Sequence, residues 1–209
     1  MTKKLFFIAI LIGSISQKIE AQVESFEIGF KFGLNVADIL GDETDELDPR
    51  TSVHLGLVAE IPIIEVLAIQ PELFYSFQGY KGESAEPNFE DENLKLDYIY
   101  LPVMVKYYPF YTAPGFSIEV GPQVGYLVSA TLERKNTANG GTETSDLDFK
   151  EFISDIDYGL NAGLGYQFEF GTFVQARYYF GISDIVDLDI EDAFSRRNGV
   201  FQFSAGYKF

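Results

Sequence analysis

From Phe26 onward the chain alternates. Phe26, Ile28, Phe30, Phe32 and Leu34 are separated by Glu27, Gly29, Lys31, Gly33 and Asn35. Successive side chains of a strand point to opposite faces, so this spacing makes one apolar and one polar face. The pattern returns at Val53–Leu55–Leu57–Ala59–Ile61 and at Ile69–Pro71–Leu73–Tyr75–Phe77. It returns again at Ile118–Val120–Pro122–Val124–Tyr126–Val128 and at Tyr158–Leu160–Ala162–Leu164–Tyr166–Phe168. The last two examples are Val174–Ala176–Tyr178–Phe180 and Phe201–Phe203–Ala205–Tyr207–Phe209. Residues 96–108 are apolar on both parities, and Lys106 assigns the even positions to the polar side. These are eight segments, each near the ~9–11 residues that a tilted strand needs to cross a bilayer. Pro71 and Pro122 predict a local bulge or break, because an interior proline removes a ladder hydrogen bond.

The connections alternate too. Segments 37–51, 81–95, 131–154 and 183–198 read as long polar loops, and 62–67, 109–115 and 169–171 as short turns. Long loops at one end and short turns at the other are the pattern of an outer-membrane barrel. The expected fold is therefore all-β: an eight-stranded antiparallel transmembrane barrel in the outer membrane, with both termini at the short-turn end. An address precedes it. Lys3 and Lys4, an apolar run over 5–12 and the small Ala21 predict a secretory signal peptide over 1–21, leaving 22–209 as the barrel domain.

Composition narrows the chemistry. The chain has 20 Phe, 13 Tyr, 19 Gly, no Cys and one His, with a net charge of −17. No disulfide, thiolate metal site or multi-histidine site can be built from it. The charge argues against nucleic acid as a partner, whose phosphates need Lys and Arg. Most of the acidic residues sit in the long segments. In the strands, Glu27, Lys31, Glu60, Glu72, Lys106, Glu119, Asp157, Arg177 and Lys208 share the polar parity and are expected to form a lumen-facing structural charge network. An eight-stranded barrel is about wide enough for side chains to fill. Phe74, Tyr98, Tyr100, Met104 and Tyr179 are expected to fill it with those charges, giving a plugged lumen.

Several phrases carry a resemblance: GFKFGLN (29–35), DYIYLPVMVKYY (97–108), EVGPQVGYLVSA (119–130), YGLNAGLGYQF (158–168), ARYYFGISDI (176–185) and FQFSAGYKF (201–209). In order and spacing they resemble the PorT-like outer-membrane β-barrel family of the Bacteroidota. The resemblance implies the same fold. The family's link to secretion is not carried over, because no functional motif supports the transfer. The C-terminal Phe209, with apolar residues at alternate positions before it, resembles the signal by which the barrel-insertion machinery recognises outer-membrane proteins.

No catalytic, cofactor or metal site is expected. His54 lies near the loop end of its strand on the polar parity, with Ser52 its nearest serine, and reads as a hydrogen-bonded lumen histidine. The stretch DETDELD (42–48) lacks the glycine of a calcium-binding EF-hand loop and reads as a solvated acidic loop. Bridging of such loops to lipopolysaccharide by divalent cations is the alternative. Asn139-Gly140-Gly141 is a turn signal. The reading is a structural or accessory outer-membrane protein in contact with membrane lipids. A small pore, a lipid-modifying enzyme and a soluble exported barrel that binds a small apolar ligand are its rivals.

Overall fold

The computed structural model describes residues 26–41, 47–83, 89–110, 114–136, 142–145, 153–185 and 196–209. The signal-peptide segment 1–21, most of DETDELD and the turn signal at 139–141 lie outside the described residues. The strands are β1 (Glu27–Gly41), β2 (Leu47–Ile64), β3 (Leu67–Glu83), β4 (Phe89–Tyr107), β5 (Phe116–Asn136), β6 (Thr142–Ser145), β7 (Ile156–Gln167), β8 (Thr172–Gly181) and β9 (Arg196–Lys208). Each is antiparallel to its neighbours, in the order β4-β3-β2-β1-β9-β8-β7-β5, and β4 pairs back onto β5. That closes the expected eight-stranded barrel.

Closure requires tilted strands and a staggered register. The stagger can be followed around the ring. Stepping from Ile61 through Ile69, Val105, Val120, Ala162, Tyr178, Phe201 and Val36 returns to β2 at Thr51, not at Ile61. At the short-turn end the hairpins are tight. In the β7–β8 turn Phe168 N–H donates to Thr172 O (2.8 Å), and Gly171 takes a φ of 89° that disfavours other residues.

Three expectations need correction. The segments read as long loops are in large part strand: β1 runs on to Gly41, β2 starts at Leu47, β3 reaches Glu83, β4 starts at Phe89 and β5 reaches Asn136. A ninth strand, β6, pairs with Leu132–Lys135 of β5 inside the stretch read as loop 131–154. Of the bulge or break expected at Pro71 and Pro122 only the break is present: ladder partners lapse at 70–71 opposite β2 and at 121–122 opposite β4. Pro71 faces Val103, Pro122 faces Leu160, and the register is the same on both sides of each. A proline removes one donor, so the ladder loses a bond without the strand needing an extra residue. The register shifts fall elsewhere, between Pro49 and His54, Pro62 and Ile64, Phe89 and Glu92, and Asp97 and Tyr98.

The wall has two zones. In the lower one, apolar side chains point out and polar ones in. Leu57, Val103 and Leu160 are 58%, 38% and 49% exposed, while Glu60, Glu119 and Arg177 are buried. Toward the long-loop end the pattern inverts. Leu94 and Leu96 point inward and are buried, and Lys95 and Asp97 lie on the outer face. Ile39 and Leu132 are likewise buried, with Asp38 and Glu133 beside them in the chain. An outer face against lipid must be apolar, and one against water need not be. β2, β4 and β5 have 18, 19 and 21 residues, well beyond the ~9–11 that a crossing needs. The inverted zone is the part that projects past the bilayer.

Glycines facing inward make room for large neighbours. A Cβ on Gly125 would stand 2.2 Å from Tyr100 Cε1, one on Gly56 2.3 Å from Phe74 Cβ, and one on Gly163 2.6 Å from Arg177 Cγ. The high glycine content serves the interior: bulky side chains of one strand lie over the bare backbone of the next.

Candidate functional site

The candidate site is the barrel interior, where the alternating polar residues of the ring strands meet. Lys31 Nζ on β1 stands 2.5 Å from Glu72 Oε2 on β3. Arg177 Nη2 on β8 is 2.7 Å from Glu72 Oε1 and 2.7 Å from Glu119 Oε2 on β5. Arg177 Nε also donates to Glu119 Oε2 (2.8 Å). Lys106 Nζ on β4 lies 3.6 Å from Glu119 Oε1 and 2.8 Å from Glu60 Oε2 on β2. Lys208 on β9 pairs with the same Glu60 oxygen. The chain of alternating charge thus crosses from wall to wall.

Amides and hydroxyls occupy the remaining lone pairs. Gln70 donates to Glu72 Oε1 (2.6 Å), Gln175 to Glu119 Oε1 (3.2 Å) and Tyr108 to Glu60. Lys31 also stands 4.4 Å above the Phe74 ring. Such pairing is what buried charges need, since an unpaired one carries a large desolvation penalty.

Two residues of the expected network stand differently. Glu27 lies at the rim, with its side chain 34% exposed, and receives Gln167 Nε2 (2.9 Å), with Lys208 Nζ 3.9 Å away. Asp157 touches no cation among the described residues. Instead it accepts from Tyr100 (2.5 Å), Tyr179 (2.9 Å), Ser183 (2.8 Å) and Asn198 (3.2 Å). Hydroxyl and amide donors there do the work that a base was expected to do. Above Asp157 the interior turns apolar. Ile39, Leu94, Leu96, Leu127, Leu132 and Val200 form one cluster with Tyr98, Tyr100 and Tyr179, joined by Ile153 and Ile185.

His54 is buried on the inner face. Ser52 is not its partner: its hydroxyl donates to Phe77 O. His54 Nε2 faces Ser204 Oγ at 2.8 Å, and Nδ1 faces Asn35 Oδ1 at 2.7 Å. Asn35 Nδ2 has three acceptors, Val53 O, Ser76 Oγ and Phe77 O, around its two hydrogens, which leaves Oδ1 to accept. Nδ1 therefore carries the proton and Nε2 accepts from Ser204, a tautomer assigned from the network. Serine, base and orienting amide stand in the order that nucleophilic catalysis uses. All three are buried, at 7%, 1% and 0% exposure. Sequence reasoning missed Ser204, 150 residues from His54. The signal that could have found it is Gly33, which pairs with His54 on one side and Ser204 on the other.

The outer face of the lower zone is bordered by aromatic residues on both sides. Tyr107, Phe110, Tyr166, Phe168, Phe170 and Phe209 are exposed at the short-turn end. Tyr126, Tyr158, Phe180 and Phe201 are exposed at the other, where Tyr178 packs on Phe201 with centroids 4.4 Å apart. Two aromatic girdles around an apolar band mark a barrel that spans a membrane.

The sequence model of the outer membrane protein beta-barrel domain family matches residues 16–187. The chain belongs to that family. It is a small outer-membrane β-barrel protein. Among solved structures it is similar to Ail, the attachment invasion locus protein of Yersinia pestis. Their TM-score is 0.51 at 14% identity, over 89% of this chain and 100% of that one. It also aligns with the Neisserial surface protein A, with a TM-score of 0.49 at 14% identity, over 90% of this chain and 99% of that one. At such identity the likeness to Ail speaks to the fold alone. No curated protein matches the sequence.

Proposed function

We infer that this outer-membrane barrel has a closed lumen and a structural or accessory role, and that within its family it is PorT-like. One observation carries the reading: the interior is filled from the chain that runs from Lys31 through Glu72, Arg177, Glu119, Lys106 and Glu60 to Lys208 up through the apolar cluster above it, and these side chains are buried. A conducting pore needs a wetted path past such residues. Purified protein in planar bilayers is expected to give no conductance steps. Regular steps would overturn the reading and favour a pore.

The remaining parts of the proposal follow the sequence. The chain is exported by residues 1–21, so the mass of membrane-extracted protein should match a start at Gln22. Its partners are membrane lipids and the insertion machinery, reached through Phe209, and nucleic acid is not among them. The acidic outer segments keep that end hydrated. Divalent cations bridging them to lipopolysaccharide are the alternative, tested by calcium titration of a variant with Asp42, Glu43, Asp45, Glu46 and Asp48 neutralised.

A second reading, a lipid-modifying enzyme, is favoured by the Ser204–His54–Asn35 geometry. A fluorophosphonate probe decides. Labelling that is lost in Ser204→Ala would support the enzyme, and absence of labelling fits the buried, structural role.

A further inference from the structure

The interior is stacked in two layers of opposite character. The lower holds the ion pairs. The upper, toward the long-loop end, is the apolar cluster to which Ile39, Leu96, Leu127, Leu132, Ile185 and Val200 belong. These six come from β1, β4, β5, β9 and the segment after β8, so they approach from most of the ring. Leu96, Leu127 and Val200 have no accessible surface, and Leu132, Ile39 and Ile185 have 1%, 3% and 5%.

The layer is also built into the wall. β7 and β8 are the short strands of the ring, and irregular chain continues the wall above them. Leu127 N–H donates to Asp155 O (2.8 Å), Ser154 N–H to Ile185 O (2.8 Å) and Ile185 N–H to Arg196 O (2.8 Å). Segments around Ile153 and Ile185 thereby link β5 to β9 and carry both isoleucines inward.

We propose that this apolar layer, and not the ion-pair chain beneath it, is the barrier that keeps ions from passing through the barrel. The proposal rests on the closed-lumen reading and assigns the closure to a place. The two layers respond differently to water. Every group in the ionic layer can exchange a protein partner for water, so loosening one pair leaves a wall that water wets. The aliphatic side chains of the upper layer offer water no partner, and hydrophobic constrictions exclude ions by dewetting. The ionic layer then sets the packing of the lower barrel, and the apolar layer sets its permeability.

Three proteins in planar bilayers test this: the unaltered chain, the double variant Lys31→Gln/Glu72→Gln, and the double variant Leu127→Asn/Val200→Thr. A heat-dependent mobility shift on gels confirms that each is folded. If Leu127→Asn does not fold, Val200→Thr alone, close to valine in shape, takes its place. The expected result is no steps from the unaltered chain or the ionic variant, and conductance steps from the apolar variant. Steps from the ionic variant, or silence from the apolar one, would overturn the proposal while leaving the closed-lumen reading intact. Steps from the unaltered chain would instead overturn the closed-lumen reading, and this inference with it.

Discussion

Arg177→Met should be among the most damaging single substitutions in the lower barrel. Arg177 touches Glu72 and Glu119 at 2.7 Å each through one nitrogen, and Glu119 again at 2.8 Å through Nε. Removing one partner of a buried pair typically costs ~3–5 kcal/mol, because it leaves a charge uncompensated. Here each carboxylate keeps a second cation, Lys31 at 2.5 Å from Glu72 and Lys106 at 3.6 Å from Glu119. The expected loss is therefore near the lower end, about 3 kcal/mol. Glu119→Gln in the same chain removes the carboxylate left more weakly paired, so the double variant should recover part of the loss, with a coupling of roughly 1–3 kcal/mol. The assay is reversible urea unfolding of refolded protein in a short-chain lipid bilayer, followed by circular dichroism. A loss below about 1 kcal/mol for Arg177→Met, or strict additivity in the double variant, would refute the reasoning.

Leu57→Arg, on the lipid face, should cost about 2–4 kcal/mol if Leu57 lies near the midplane, whereas Lys95→Gln in the projecting zone should cost less than about 1 kcal/mol; the same unfolding assay separates them. Gly125→Ala places a methyl against the Tyr100 ring and should destabilise by roughly 1–3 kcal/mol, a cost that should shrink when the same change is made in a Tyr100→Leu background.

Within the bilayer the fold could be read from the sequence because lipid enforces the alternation. One face must be apolar along a whole strand, and Phe30, Phe32 and Leu34 between Gly29, Lys31, Gly33 and Asn35 leave no other register. Above the bilayer that constraint lapses. Leu94, Leu96 and Leu132 point inward while Lys95, Asp97 and Glu133 face out, so strand continues under a pattern that reads as polar loop. Ladder pairing and the apolar cluster hold it there, and neither shows in a local window. The charges of the interior were legible by parity. Their partners were not, since Lys31 meets Glu72 and His54 meets Ser204 only through the ring closure. Asp157 shows the limit most plainly: its parity suggested a base, and its donors came from Tyr100, Tyr179, Ser183 and Asn198.

One wall faces lipid below and water above while the interior stays shut. The chain has no cysteine, so single spin labels can be placed along β4 at will. Accessibility to oxygen and to a water-soluble nickel chelate, read by electron paramagnetic resonance in liposomes, tests the claim directly. Labels at Val103 and Leu101 should be open to oxygen and closed to nickel, labels at Asp97 and Lys95 open to nickel, and a label at Leu96 closed to both. Nickel access at Leu96, or a lipid-like signature at Lys95, would contradict it.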